Sequence, residues 1–103
     1  MINKTTAQQI VDTVKDVCGH DINFINEKGL ILASTNPSRI GTFHEGGQKV
    51  ISAGTTLEVF ESDTLLGTQK GVNIPVYHKG SLAAVIGISG DPKEVSKYAH
   101  LAE

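Results

Sequence analysis

Short turns join most of the strands that this sequence predicts, and that feature limits the folds open to the chain. Residues 26–29 read NEKG between two apolar segments, which is the pattern of a β-hairpin, and Lys79 with Gly80 forms a second tight turn. Two strands joined by a short turn pair antiparallel, so the pattern favours an antiparallel sheet over a parallel doubly wound one. The predicted strands are residues 22–25, 30–32, 57–60, 72–77 and 82–89.

An amphipathic helix is predicted near each end of the chain. Apolar residues recur at three- and four-residue steps over residues 6–18, with Thr6 and Gln9 as a capping pair at the start. Asp91 has the position of an N-cap before a first-turn proline, and it opens the last predicted helix. The apolar face of that helix is predicted to hold Val95, Tyr98, Ala99 and Ala102. The order of elements predicts one α+β domain over residues 1–103, with a five-stranded antiparallel sheet.

The segment SRIGTFHEGG, residues 38–47, places an arginine and a histidine at the predicted start of a central helix, residues 43–53. Thr42 and Glu45 have the spacing of a capping box at that start. The guanidinium of Arg39 is a planar fork of donors that suits a carboxylate. Free backbone N–H groups and the helix dipole would add attraction for an anion. The sequence therefore predicts a site for a small carboxylate here.

Composition excludes several other classes of function. Nine Lys and Arg against eleven Asp and Glu give a net charge of −2, which provides no broad basic surface for nucleic acid. The lone cysteine, Cys18, excludes an internal disulfide, and no apolar run or secretory pattern marks a membrane or export segment, so a cytoplasmic protein is expected. HEGG lacks the second histidine of the HExxH zinc motif, and the other histidines have no metal-ligand spacing, so neither metal nor cofactor is predicted.

Three segments carry a resemblance to a known family: DINFINEKGLILAS, RIGTFHEGG and GVNIPVYHKGSLAAVIGISGDPKEVSKYA. In this order and spacing they resemble the sugar-diacid recognition domain at the N-terminus of carbohydrate-diacid regulators, which are bacterial transcription factors. The resemblance implies a PAS-like or Cache-like sheet flanked by N- and C-terminal helices, a homodimer, and a ligand such as glycerate or glucarate. In that family, DNA would be contacted only through output domains absent from this chain. Separately, the segment RIG followed by histidine also resembles the citrate and dicarboxylate sensors of histidine kinases.

The resemblance and side-chain chemistry together imply a set of ligand-binding residues. Arg39 would clamp a carboxylate, and His44 would donate to the carboxylate or to a neighbouring hydroxyl. Asn73 both donates and accepts, as a hydroxyacid requires, and Lys70 would add positive charge. The predicted ligand-binding residues are Arg39, His44, Glu45, Gly46, Lys70, Gly71, Asn73 and Ser89.

Each of these residues also has a purely structural interpretation. Arg39 would form a surface ion pair with Glu45 or Asp63, a contact worth about 0–1 kcal/mol. His44 would be a capping or surface histidine. Asn73 would satisfy the backbone at a bulge next to Pro75, a residue that itself argues for an edge or a bulge in its strand.

Three functions therefore compete. The first is a sensory domain that binds a small sugar acid and performs no chemistry, since the chain offers no convincing Ser/His/Asp set and no motif-placed carboxylate pair. The second is a haem-utilisation or glycolate-operon protein, because GVNIPVYHKG and AAVIGISGDP resemble the end of that family. The third is a dimerisation module with a vestigial pocket.

Overall fold

The structure is a computed structural model that describes residues 2–98. Within this range a five-stranded sheet has the order β2-β1-β5-β4-β3, and each neighbouring pair is antiparallel, as predicted. The predicted apolar positions Ala99 and Ala102 lie outside the described residues. In chain order the elements are α1 (Lys4–Cys18), β1 (Ile22–Ile25), β2 (Ile31–Ser34), a 3-10 turn (Pro37–Arg39), α2 (Glu45–Ala53), β3 (Leu57–Val59), β4 (Gly71–His78), β5 (Ser81–Ser89) and α3 (Pro92–Val95).

The sheet separates two apolar layers. On one face Val11 of α1 and Val95 of α3 pack against Phe24 and Ile74, and all four side chains are at most 1% exposed. On the other face Val50 of α2 packs on the sheet together with Ile25, Ile31 and Val85. Because successive side chains of a strand alternate between faces, the α2 face also receives Asn23, Asn73 and Gly87, which occupy one row across β1, β5 and β4.

The start of α1 differs from the prediction, whereas its end agrees. Asn3 is the N-cap, with its Oδ1 atom accepting from the Thr6 N–H at 2.8 Å, so the helix begins at Lys4 and the predicted cap at Thr6 is wrong. Several residues in the stretch INKTT are able to cap a helix, and an asparagine ranks above a threonine in that role. Gly19 ends the helix in the left-handed conformation, at φ 76°.

Pro75 lies in the part of β4 that does not pair with β3. β3 pairs only with Gly71–Asn73, so the part of β4 beyond Asn73 forms an edge on that side. A register irregularity between β4 and β5 follows at Val76 and Tyr77. This arrangement agrees with the prediction of an edge or bulge, since proline cannot donate to a ladder.

Candidate functional site

A small polar cavity lies over the middle of the sheet, on the α2 face. The strands β1, β4 and β5 form its floor, and the 3-10 turn, the start of α2 and residue Gln69 form its walls. Its volume of about 10 Å³ is enough for one water molecule. Its lining residues are Asn23, Arg39, His44, Gln69, Gly71, Asn73, Gly87, Ile88 and Ser89.

Arg39 contributes a positive charge to this cavity. The 3-10 turn that carries it begins at Asn36, whose Oδ1 atom accepts from the Ser38 N–H at 3.2 Å. The guanidinium donates to the carbonyl oxygen of Gly67. Partial burial lowers the pKa of Arg39, and Asp21 opposes that shift. Since no carboxylate among residues 2–98 lies within ion-pair distance of Arg39, the predicted surface pairs with Glu45 or Asp63 do not form.

His44 is a neutral hydrogen-bond donor at the cavity wall. Its side chain is only 3% exposed, and its Nδ1 atom accepts from the Gly47 N–H at 2.8 Å. Burial, reinforced by the nearby charge of Arg39, lowers the pKa of His44 to about 4. An imidazole that accepts at Nδ1 carries its proton on Nε2, so at neutral pH the Nε2–H group is the donor. His44 is therefore both the N-cap of α2 and a wall of the cavity.

The predicted capping box at the start of α2 is wrong. Because His44 is the cap, the helix begins at Glu45 rather than at residue 43. The Thr42 hydroxyl instead donates to the Arg39 carbonyl at 2.6 Å, and Glu45 Oε1 accepts from the Leu66 N–H at 2.7 Å. A histidine ring is able to accept at this position because its Nδ1 atom is unprotonated.

The prediction of free amides at the start of α2 is also wrong. Each N–H group there already has an acceptor inside the protein, at 2.8 to 2.9 Å. A ligand in the described conformation would therefore meet side-chain donors and not a bare helix end. The pairs are His44 N–H with Gly29 O, Glu45 N–H with Leu66 O, Gly46 N–H with Thr68 Oγ1, and Gly47 N–H with His44 Nδ1.

Residues 60–70, here called the covering loop, lie on the start of α2 and supply two of these acceptors. Thr68 is 3% exposed, and its hydroxyl also donates to Leu66 O at 3.0 Å. Gly67 has φ +62°, and a Cβ there would lie 2.0 Å from the Phe43 carbonyl oxygen. Such contact with backbone leaves no room for a side chain, so the loop depends on glycine at this position.

The structure brings five of the eight predicted ligand residues to the cavity: Arg39, His44, Gly71, Asn73 and Ser89. Glu45, Gly46 and Lys70 do not line it. Glu45 binds the covering loop, Gly46 packs against Thr68, and Lys70 is exposed. A Cβ at Gly71 would lie 2.2 Å from the Ile88 carbonyl oxygen, so the neighbouring strand already accounts for this glycine.

Asn23, Gln69 and Gly87 line the cavity and do not belong to the predicted set. Asn23 is the one polar residue of the strand INFI, and it is 4% exposed. A polar side chain inside a buried strand needs a hydrogen-bond partner, and that need is a signal visible in the sequence. Gly87 lies between Asn23 and Asn73 because of the register of three paired strands, and no local sequence pattern indicates that register.

We expect His44 to make folding stability depend on pH. In the folded protein the pKa of His44 is about 4, below the value of about 6.5 for an unfolded histidine. As the pH falls from about 6.5 to about 4, the unfolded chain takes up a proton that the folded chain does not. The free energy of unfolding therefore decreases over this pH range. The matched control is His44→Asn, which keeps a capping side chain. Between about pH 7 and about pH 5, the free energy of unfolding of the native protein should fall by about 2 kcal/mol more than that of the variant. Urea unfolding of both proteins measures this, and equal losses would contradict it.

Comparisons with known proteins agree on a family. The family model described as "Putative sugar diacid recognition" matches residues 2–103. A carbohydrate diacid regulator of Escherichia coli is 33% identical over 97 residues, which are 92% of this chain and 25% of that protein. An uncharacterised protein of Haemophilus influenzae is 30% identical over 105 residues, 99% of this chain and 28% of that protein. The chain thus spans about a quarter of the length of the curated relatives it matches.

Solved structures with the same fold include GAF domains, which have a PAS-like fold and are not named as Cache domains. The GAF domain of an Acinetobacter phosphoenolpyruvate-protein phosphotransferase has a TM-score of 0.66 at 13% identity, covering 95% of this chain and 72% of that one. A free methionine-R-sulfoxide reductase of Neisseria meningitidis, solved with its substrate, has the same TM-score and identity, covering 96% and 72%. Within residues 2–98, no helix has the length and apolar character needed to cross a bilayer.

Proposed function

The chain belongs to the sugar diacid recognition family, and from that premise we propose that residues 1–103 form a single sensory domain that binds a small hydroxycarboxylate or sugar diacid. The observation that carries this proposal is an arginine without a carboxylate partner among residues 2–98, placed at a small polar cavity. Arg39 binds the carboxylate, and His44 and Asn73 bind its neighbouring oxygen atoms. The domain recognises its ligand and performs no chemistry on it.

Ligand entry requires a rearrangement around Arg39. The cavity has a volume of about 10 Å³, room for one water molecule and far less than any sugar acid needs. Arg39 donates to the Gly67 carbonyl in this conformation, and a carboxylate is a stronger acceptor for a guanidinium than a neutral carbonyl. The ligand therefore exchanges with Gly67 as the partner of Arg39, and the covering loop moves. A ligand shifts a conformational equilibrium only by such a difference in affinity between the two states.

The output of this event would pass to segments outside the domain. One matched relative is a carbohydrate diacid regulator, and this chain covers 25% of it. We place the domain in the cytoplasm and in a homodimer, with DNA contacted by other parts of a full-length regulator. As the resemblance to PAS-like domains implies, we expect the flanking helices at the dimer contact, where Val17 of α1 is 67% exposed, and sedimentation equilibrium measures that association.

Titration with defined acids tests the proposal. Calorimetry and thermal unfolding with glycerate and glucarate should give a saturable signal and a rise in the melting temperature, since a ligand at a hundred times its Kd adds about 2.7 kcal/mol of stability. Chloride at matched ionic strength is the control for a general salt effect. Failure of every sugar acid to change heat or melting temperature would contradict the proposal, and a visible-absorption titration with haem would then test the competing haem hypothesis.

A further inference from the structure

We propose that the space above Gly87, between Asn23 and Asn73, binds a hydroxyl group of the ligand, and that Asn23 makes the site selective for carboxylates that carry one. This inference rests on the proposed function, and it adds a residue that determines specificity at the same site. The same small cavity is lined by Arg39, so the hydroxyl lies near the carboxylate. We call this space above Gly87 the hydroxyl notch.

The register of the sheet creates the notch. Gly87 of β5 pairs with Asn23 of β1 on one side and with Asn73 of β4 on the other, so the three residues share a face. The missing side chain at the middle position leaves an opening between two amide side chains. A Cβ at Gly87 would lie 2.9 Å from Asn73 Oδ1 and 3.8 Å from His44 Nε2. Both polar atoms therefore border the position that a small group would take.

A chain of hydrogen bonds fixes the orientation of the Asn23 amide. The Asn36 N–H donates to Ser34 Oγ at 3.0 Å, and Ser34 Oγ donates to Asn23 Oδ1 at 2.6 Å. With its oxygen engaged by Ser34, Asn23 has its two Nδ2 protons left for other acceptors. Asn23 is 4% exposed and lines the cavity, so an acceptor in the notch is the natural partner for that nitrogen. Ser34 is thus a positioning residue, acting through Asn23.

The polar groups around the notch match a hydroxyl. A hydroxyl has one donor and two acceptor lone pairs. Asn73 Oδ1 offers an acceptor, while the Nε2–H of neutral His44 and the Nδ2 of Asn23 offer two donors. The whole cavity, about 10 Å³, has room for one oxygen atom with its hydrogen before the covering loop moves. An acid without the hydroxyl would form none of these hydrogen bonds, so it would bind with a less favourable free energy.

Paired acids that differ by one hydroxyl test the inference. Calorimetry would compare lactate with propanoate, and malate with succinate, on the native protein, Asn23→Ala and Ser34→Ala. The native protein should prefer the hydroxylated acid of each pair by about tenfold or more, as expected for a polar group matched by buried donors and acceptors. In both variants the preference should fall to about threefold or less, because a hydrogen bond is lost or misdirected. Ser81→Ala, at the exposed start of β5, should keep the native preference.

The outcomes separate this inference from the proposed function. A native protein that binds lactate and propanoate with equal affinity overturns the hydroxyl notch and leaves the carboxylate site standing. Variants that lose affinity for both acids equally, with the preference unchanged, also overturn it, because that pattern describes a general structural role. A native protein that binds glycerate or glucarate but none of the four acids overturns the notch and leaves the proposed function standing, whereas one that binds none of the six acids overturns both. Should Asn23→Ala fail to fold, the conservative Ser34→Ala still decides the question.

Discussion

Replacing Arg39 with alanine is expected to weaken the binding of glycerate by at least about a hundredfold. A guanidinium binds a carboxylate through two parallel charge-assisted hydrogen bonds, each worth about 1.5–3 kcal/mol. His44 is neutral and Lys70 does not line the cavity, so neither side chain replaces the lost charge there. The dissociation constant from calorimetry measures the effect. Folding stability should fall by about 1.5–3 kcal/mol, because the guanidinium of Arg39 loses its bond to the Gly67 carbonyl.

Two further variants control for charge and for geometry. Lys70→Ala removes the same net charge from an exposed position outside the cavity, and its binding constant should stay within about twofold of the native value. Arg39→Lys keeps the charge but lacks the planar fork, so we expect binding between the native and alanine values. The assignment of the carboxylate to Arg39 would fail if Lys70→Ala weakened binding as much as Arg39→Ala.

Replacing Gly71 with alanine should destabilise the fold by about 3 kcal/mol, in line with the cost of overpacking a close-packed interior. The added Cβ would lie 2.2 Å from the Ile88 carbonyl oxygen and 3.0 Å from Ser89 Cα, on the backbone of the adjacent strand. Backbone in the middle of a sheet cannot rotate away as a flexible side chain can, so β4 and β5 would have to separate locally. Urea unfolding measures the loss.

Gly80→Ala is the matched control for this substitution. Gly80 has φ +80° in the β4–β5 turn, and a Cβ there would meet no atom within 4 Å. Its replacement introduces only backbone strain, which costs about 1–2 kcal/mol. Equal destabilisation by the two variants would show that the contact with Ile88 is unimportant. A folded Gly71→Ala protein that has lost only ligand binding would instead support a direct role for Gly71 at the ligand.

The antiparallel direction of the strands was predictable because short turns join several of them, whereas the order β2-β1-β5-β4-β3 contains a contact between β1 and β5 that no local feature indicates. The turn at Lys79 and Gly80 has both residues at positive φ, at 52° and 80°, and it pairs β4 with β5 as expected. Helix starts were less predictable. Asn3 and His44 are the N-caps, and not Thr6 and Thr42. Each helix start contains several side chains able to accept a hydrogen bond, so the local sequence does not single out one of them. The choice between them depends on contacts with distant residues such as Leu66, which the local pattern does not contain.

The site was predictable only in part, for a similar reason. Arg39 and His44 have side chains whose chemistry by itself suggests an anion. Gly87 has no such chemistry, and its importance arises from the register that places it between Asn23 and Asn73. The prediction of Lys70 rests on its charge and its place next to β4, yet its side chain is exposed and does not line the cavity. Sequence proximity to a site residue does not determine which way a side chain points.

The bonds between the covering loop and α2 have a consequence for how the domain opens. Leu66 and Thr68 occupy the N–H groups of Glu45 and Gly46. Lifting the loop therefore uncaps the first turn of the helix and releases donors at its positive end. In the proposed mechanism an anion and the loop would compete for the same donors. The start of α2 would then become available to an anion only after the loop has moved, so opening of the cavity would also strengthen its attraction for a carboxylate.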